Sequence, residues 1–302
     1  MAALAVPLFL TITWKVTAVP EVTPAGKVVK EEIIRSGTED GGAAATVTVT
    51  GGPQLLLSLD SVTTLPVSAQ TSKVCVPAVA VQDAATEAMF AGIKLINILA
   101  EHVPTRDAAE VVRWARIKGS TVVGPASVGI ISPGKGKIGS IGSSTISKVF
   151  TKGPIGVVSK SGGMTAEIAV TLTQAKLGQS TVIGIGGDQI IGFDFVDALK
   201  LFAKDPETKA VVLFGEVGGT YEEQAADYIL KNRFKKPVVA IIAGKFTKDL
   251  PQGTVLGHAG TIVARGRGGY DSKTRAFRRA GVPVARTLDE VPDLLRKKLK
   301  KK

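Results

Sequence analysis

Short runs of branched aliphatic residues alternate along the chain with amphipathic segments. Residues 8–19 have strand character. Residues 20–26 predict a turn into a helix over residues 27–35, which Gly37 ends. Residues 46–50 alternate valine and threonine as a strand does, before the break at Gly51-Gly52-Pro53. A buried strand is expected over residues 73–76, a helix over 83–91 closed by Gly92, and a central strand over 93–99, where branched residues are dense. The pattern restarts at residues 155–159, which run into an amphipathic helix reaching about residue 177. Strands over 181–185, 210–214 and 238–242 then alternate with helices over 195–202 and 221–231. Strand–helix alternation builds parallel sheets with right-handed crossovers, so the expected class is α/β. Residues 1–141 form the expected first unit, the glycine- and serine-containing residues 142–153 a linker, and residues 154–302 a second, doubly wound sheet.

The length of 302 residues allows two cores of ordinary size, and aromatics at 5% beside abundant Gly, Ala, Val and Ile suit tightly packed parallel sheets. The net charge of +12 first suggests a polyanion partner. Half of it, however, comes from Arg296, Lys297, Lys298, Lys300, Lys301 and Lys302, a run that suits the negative end of a solvated terminal helix. Without interleaved aromatics those lysines do not point to nucleic acid. Residues 2–12 are almost wholly apolar, yet no positive charge precedes them and Pro7 interrupts them. The segment to Trp14 is shorter than the roughly 18 residues a membrane span needs, so a buried first strand is expected and no membrane association. Cys75, the single cysteine, can neither close an internal disulfide nor build a metal cluster, and reads as a small buried hydrophobe. No metal site and a cytoplasmic location are the corresponding expectations.

Candidate chemistry gathers at glycine-rich strand ends. One of only two histidines, His258, stands between Gly257 and Gly260, where the backbone turns tightly and no large side chain crowds the imidazole. Ser159, Ser161, Gly162 and Gly163 open a helix at the end of a parallel strand, where free first-turn amides suit an oxyanion; the alternative is an ordinary serine-capped helix. Gly184 to Asp188, with Gly186 and Gly187 inside it, and residues 214–219 also close strands with glycines. Such loops admit a ligand or a neighbouring backbone, or are simply tight turns. Glu216 lies in the second of them, well placed to orient a histidine. His102 reads as a solvent-facing loop residue.

Taken together, Ser-Lys-Ser-Gly-Gly-Met-Thr at 159–165, Gly-Ile-Gly-Gly-Asp at 184–188, Gly-Glu-Val-Gly-Gly at 215–219 and Gly-His-Ala-Gly at 257–260 resemble the α subunit of succinyl-CoA synthetase. That family of NDP-forming carboxylate–CoA ligases includes citryl-CoA synthetase and the ligase part of ATP-citrate lyase. The likeness runs from Lys73 to Leu294. It implies an N-terminal Rossmann-like CoA-binding domain followed by a flavodoxin-like ligase domain. It further implies that His258 is phosphorylated in turn by ATP or GTP and by an acyl phosphate, that Glu216 orients it, and that the helix start at Ser161 and Gly162 receives the phosphoryl group. Loops at Gly186, Gly187 and Asp188 would face the substrate. Val76, Pro77, Ala78 and Glu101 match segments that line the CoA site.

Two places depart from the family pattern. Where the family has a glycine-rich CoA turn, this chain has Glu-Val-Thr-Pro-Ala-Gly-Lys at 21–27. Thr23, Gly26 and Lys27 are the residues that would retain CoA contacts there, while Pro24 removes an amide donor. Gly162-Gly163-Met164 and residues 124–129 look like the citrate-using branch, whereas residues 178–181 and 204–208 look like the succinate branch. The balance leans slightly to citrate. The resemblance also implies a β subunit with an ATP-grasp domain that supplies most of the nucleotide site with Mg²⁺, an α–β hetero-oligomer, and a small-molecule carboxylate as substrate. A CoA-binding protein without catalysis is the alternative of another class.

Overall fold

The computed structural model describes residues 71–142, 146–249, 258–261 and 267–300, together with three short strands between residues 35 and 49. Strands β1 (Arg35–Gly37) and β2 (Ala43–Ala45) pair antiparallel. The helix expected over 27–35 and ended by Gly37 is therefore corrected at its C-terminal end: Ser36 and Gly37 are poor helix formers, and extended pairing prevails there. The remainder of that segment, the strand expected over 8–19 and residues Thr23, Gly26 and Lys27 lie outside the described residues.

The first sheet is wholly parallel, in the order β3 (Thr48–Val49), β4 (Thr71–Val74), β5 (Leu95–Ile98) and β6 (Thr121–Val123). Helices α1 (Val81–Phe90) and α2 (Thr105–Lys118) pack on it through Val81, Ala85, Met89, Ala108 and Val111, which meet Ile96, Ile98 and Val122. Helix α2, which periodicity had not singled out, stops at Gly119, whose φ of 65° is the left-handed conformation that ends a helix. Cys75 follows β4 and is half-buried rather than buried.

The second sheet has seven strands in the order β13-β12-β11-β9-β10-β7-β8. Its members are β7 (Gly129–Ser132), β8 (Gly136–Ile138), β9 (Lys152–Ser159), β10 (Gln179–Gly184), β11 (Ala210–Gly215), β12 (Val238–Ile242) and β13 (Val284–Ala285). The strands from β9 onward are parallel, and β7 and β8 add an antiparallel hairpin against β10. Helices α3 (Ile146–Val149), α4 (Gly162–Gln174), α5 (Phe195–Lys204), α6 (Tyr221–Lys231), α7 (Tyr270–Arg279) and α8 (Glu290–Leu299) connect or flank them. Both sheet faces are buried, which is why its strands read as continuous apolar runs instead of alternating ones. Val157, Val182, Val212 and Val239 face α4 and α8, while Val158, Ile183, Leu213 and Ala240 face α5, α6 and α7.

Counted from β9, the parallel strands follow the flavodoxin order, with the switch in direction between β9 and β11. The strand pairing also reassigns residues 129–138: expected in the first unit, they belong to the second sheet. The segment expected as a linker carries α3, the start of β9 and the buried Phe150, because its few apolar residues find a place in the core that its glycine and serine content does not disclose. Nor is the basic tail wholly solvated. Arg296 donates to the Ala175 carbonyl at the end of α4, at 2.8 Å, and Lys298 to the Gly281 carbonyl after α7, at 3.1 Å. Among the described residues no helix is long and apolar enough to cross a membrane.

Candidate functional site

Parallel strands present their carboxyl ends to one edge of the sheet, and a ligand crevice opens where neighbouring connections leave in opposite directions. Here that point lies over Ser159, paired on one side with Gly184 of β10 and on the other with Phe214 of β11. The loops after these three strands hold Lys160–Ser161, Gly186–Asp188 and Glu216–Gly219, and residues 258–261 are seated among them.

The seating is mutual. Gly260 donates its amide to the Gly187 carbonyl at 3.0 Å, and a Cβ at Gly187 would lie 2.7 Å from Cγ of His258 and 2.8 Å from its Nδ1. A Cβ at Gly218 would fall 2.2 Å from the Gly260 carbonyl oxygen. These glycines are therefore space for the histidine segment, a role their spacing alone did not distinguish from tight turns.

Nδ1 of His258 meets both carboxylate oxygens of Glu216, at 2.8 and 2.7 Å. This hydrogen bond is the main reason the imidazole binds its proton more tightly than an ordinary histidine; partial burial works against it, and the charge of Glu216 adds to it. The neutral ring that results on deprotonation keeps Nδ1–H on Glu216 and offers the lone pair of Nε2. Such an arrangement can carry out nucleophilic chemistry at Nε2. The folded chain contributes stability through this proton that is full below pH 6.5 and is lost as pH rises through the raised value.

Behind Glu216 lies a buried ionic cluster that the sequence reading missed. Lys160, only 2% exposed, places Nζ 3.6 Å from Glu216 Oε1 and 3.9 Å from Glu222 Oε1. Glu222 accepts the Glu216 amide at 3.0 Å and is paired with Lys273, which also donates to the Gly218 carbonyl at 2.7 Å. Burial lowers the proton affinity of Lys273, and Glu222 opposes that. Glu223 accepts from the Gly268 amide at 3.0 Å and Ser272 at 2.9 Å, so the return of the histidine segment is anchored to the same helix. Glu222 and Lys273 are 51 positions apart and share no motif; a run of charged residues at the start of α6 was the only sign in the sequence.

Ser159 and Ser161 have local duties. Ser159 Oγ donates to the Ser161 carbonyl at 2.8 Å, and Ser161 caps α4 by accepting from the Met164 amide at 3.4 Å. The amides of Gly162 and Gly163 are first-turn groups with no carbonyl inside the helix to bind, which leaves them available to an anion. A Cβ at Gly162 would lie 2.4 Å from a methyl group of Val128, so glycine is what lets α4 start against that side chain.

Asp188 borders a cavity beside Ala259 and also has a structural duty. Its side chain accepts the amides of His102 at 3.2 Å and Val103 at 3.1 Å, and so ties the second sheet's loop to the first sheet. Hydrogen bonds from backbone amides to an ionised carboxylate are stronger than neutral ones. Asp188→Ala is expected to lower stability by about 1–3 kcal/mol, seen as a lower denaturant midpoint, with the 100–104 segment the first to lose hydrogen-exchange protection. Val76, Pro77 and Ala78 follow β4, and Glu101 follows β5, so the two CoA-matching segments come to the carboxyl ends of adjacent parallel strands. The cavity, of about 230 Å³, opens at the start of α2, lined by His102, Val103, Thr105, Asp188, Ile190 and Ala259 among others. His102 itself is exposed.

The CoA-ligase family matches residues 158–283. The chain is similar to the succinate–CoA ligase [ADP-forming] subunit alpha 2 of Archaeoglobus fulgidus, at 45% identity over 75% of this chain and 76% of the relative. It is also similar to the ADP-forming sulfoacetate-CoA ligase subunit SqwL of an Acholeplasma species, at 41% identity over 73% of both. Among solved structures, ATP citrate lyase from Methanothrix soehngenii, in complex with citrate and coenzyme A, aligns with a TM-score of 0.74 and 28% identity, over 78% of this chain and 39% of that one.

Proposed function

The chain belongs to the family of α subunits of ADP-forming CoA ligases, and from that premise we propose that it is the CoA-binding, phosphohistidine-bearing subunit of a carboxylate–CoA ligase. The observation that carries this reading is the pairing of His258 Nδ1 with both oxygens of Glu216 at the switch point of the second sheet. With Nδ1 engaged, Nε2 is the nitrogen that attacks.

Balance of atoms sets the order of steps. Nε2 displaces ADP from the γ-phosphorus of ATP, the phosphoryl group passes from Nε2 to a substrate carboxylate, and the CoA thiolate attacks the resulting acyl phosphate to give acyl-CoA and phosphate. If His258 took the phosphoryl group from the acyl phosphate before thiolysis, free carboxylate would simply be returned. Glu216 holds the Nδ1 proton throughout, and the positive charge that develops on the ring during attack is stabilised by that carboxylate. The Gly162 and Gly163 amides receive the phosphoryl oxygens. Val76, Pro77, Ala78 and Glu101 border the CoA site, and the cavity beside Ala259 is where thiol and acyl phosphate meet.

ATP, Mg²⁺ and the remainder of the nucleotide site come from a β subunit with an ATP-grasp domain. Succinate is the first substrate reading, supported by relatives at 43–45% identity whose names carry it. Citrate is the second, supported by Gly162-Gly163-Met164 and by the ATP citrate lyase likeness.

The chain, co-expressed with its β subunit and given γ-labelled ATP, is expected to take up label that is stable in base and lost in acid. Its rate of uptake should rise with pH through a midpoint above 6.5, because the proton that Glu216 retains on the imidazole must leave before Nε2 can attack. A wild-type complex that remains unlabelled while binding both ATP and CoA would rule the enzyme reading out. Acyl-CoA formation measured side by side with succinate and citrate decides the acid.

A further inference from the structure

A nearly buried carboxylate such as Glu216 is costly unless a charge partner accompanies it. Lys160 stands where that requirement is met. It follows β9 directly, its amide donates to the Phe214 carbonyl at 3.2 Å, and its ammonium is held between Glu216 and Glu222 at 3.6 and 3.9 Å. From this geometry we propose that Lys160 is a positioning residue of the His258–Glu216 pair: its buried ammonium, held between Glu216 and Glu222, shares the Glu216 carboxylate with His258 Nδ1 and so limits the hold of that carboxylate on the imidazole. The proposal deepens the phosphohistidine reading and rests on it for its catalytic meaning.

The surrounding charges are arranged to make this work. Facing the pair are Lys160 from the turn before α4, Glu222 and Glu223 from α6, Lys273 from α7 and Glu101 from the loop after β5; the Tyr221 ring lies 6.0 Å from the Lys160 ammonium. Around Lys160 and Lys273, the carboxylates of Glu216, Glu222 and Glu223 outnumber the ammonium groups by one. A protonated imidazole at His258 restores the balance. Removing the Lys160 charge strengthens the hold of the cluster on that proton; removing the Glu222 charge weakens it.

The chain has only two histidines, so selective labelling of histidine gives two imidazole signals, assigned with His258→Asn. In Lys160→Gln the His258 titration midpoint is expected to move to higher pH by about one unit, and in Lys160→Arg to stay near the wild-type value. In Glu222→Gln it should move down. A general loosening of the site would instead let His258 drift toward the ordinary histidine value in every variant, the opposite of the Lys160→Gln result. An unchanged or lowered midpoint in Lys160→Gln overturns the proposal. Should that variant not fold, an unchanged or raised midpoint in Glu222→Gln does so. The midpoint of label uptake in the complex should follow the titration. Absence of label in the wild type would defeat the enzyme reading while leaving the titration to judge Lys160, and labelling with a midpoint indifferent to Lys160→Gln would defeat this inference alone.

Discussion

In His258→Asn the reconstituted ligase is expected to lose acyl-CoA formation by about a thousandfold or more, with no phosphoryl label on the chain. Asparagine can still donate to Glu216, so the contact that seats residues 258–261 survives in part, while the nucleophilic nitrogen is gone. The fold should hardly notice: His258 is only half-buried, and Gly260 and Thr261 keep their backbone bonds to Gly187 and to residue 258. Thermal unfolding close to wild type together with the loss of label would therefore place the defect in chemistry. Label retained in His258→Asn would move the phosphoryl acceptor elsewhere. Glu216→Gln should be milder, about a hundredfold, because the amide still contacts Nδ1 but neither stabilises the developing ring charge nor sustains the raised proton affinity.

Gly187→Val is expected to cut the rate by about a hundredfold or more without replacing any group that reacts. A Cβ at this position would stand 2.7 Å from Cγ of His258 and 3.0 Å from Cδ2, closer than carbon atoms approach. Either the ring leaves Glu216 or the loop after β10 shifts, and both move Nε2 by the order of an ångström, which is enough to cost that much in a positioned reaction. Valine adds two methyl groups to the same place, so no small adjustment suffices. Binding of CoA should fall less than the rate, since the added side chain meets His258 before anything in the segments after β4 and β5. The variant is checked by following label uptake and CoA affinity in the same preparation; normal label uptake would show that the ring has room the structure does not provide.

Much of this site could be read along the chain because its parts are local. A parallel strand ending in glycine and serine before an amphipathic helix is written in consecutive residues, as at 155–163, and the structure has β9, the Ser161 cap and α4 there. His258 between glycines and Glu216 in a glycine loop were likewise visible, and the pair meets at hydrogen-bond distance. What went unread was long-range. The pairing of Glu222 with Lys273, the position of Lys160 between two carboxylates and the turning of Asp188 toward His102 and Val103 join residues from different elements, and nothing in local spacing reports such contacts. The placement of β7 and β8 failed for the same reason: their apolar runs show a strand, whereas the sheet a strand joins depends on where an edge is free.

The amino-acid sequence by itself determined the α/β class, the strand ends at which chemistry collects, and the two residues, His258 and Glu216, that such chemistry needs, because hydrophobic period and glycine placement act over a few neighbouring residues. The tertiary structure alone decided which loops converge, which ring nitrogen stays free, and which buried lysine stands beside Glu216. Those are matters of distance between segments up to a hundred residues apart, settled by the order in which parallel strands assemble and by the cost of leaving a buried charge without a partner.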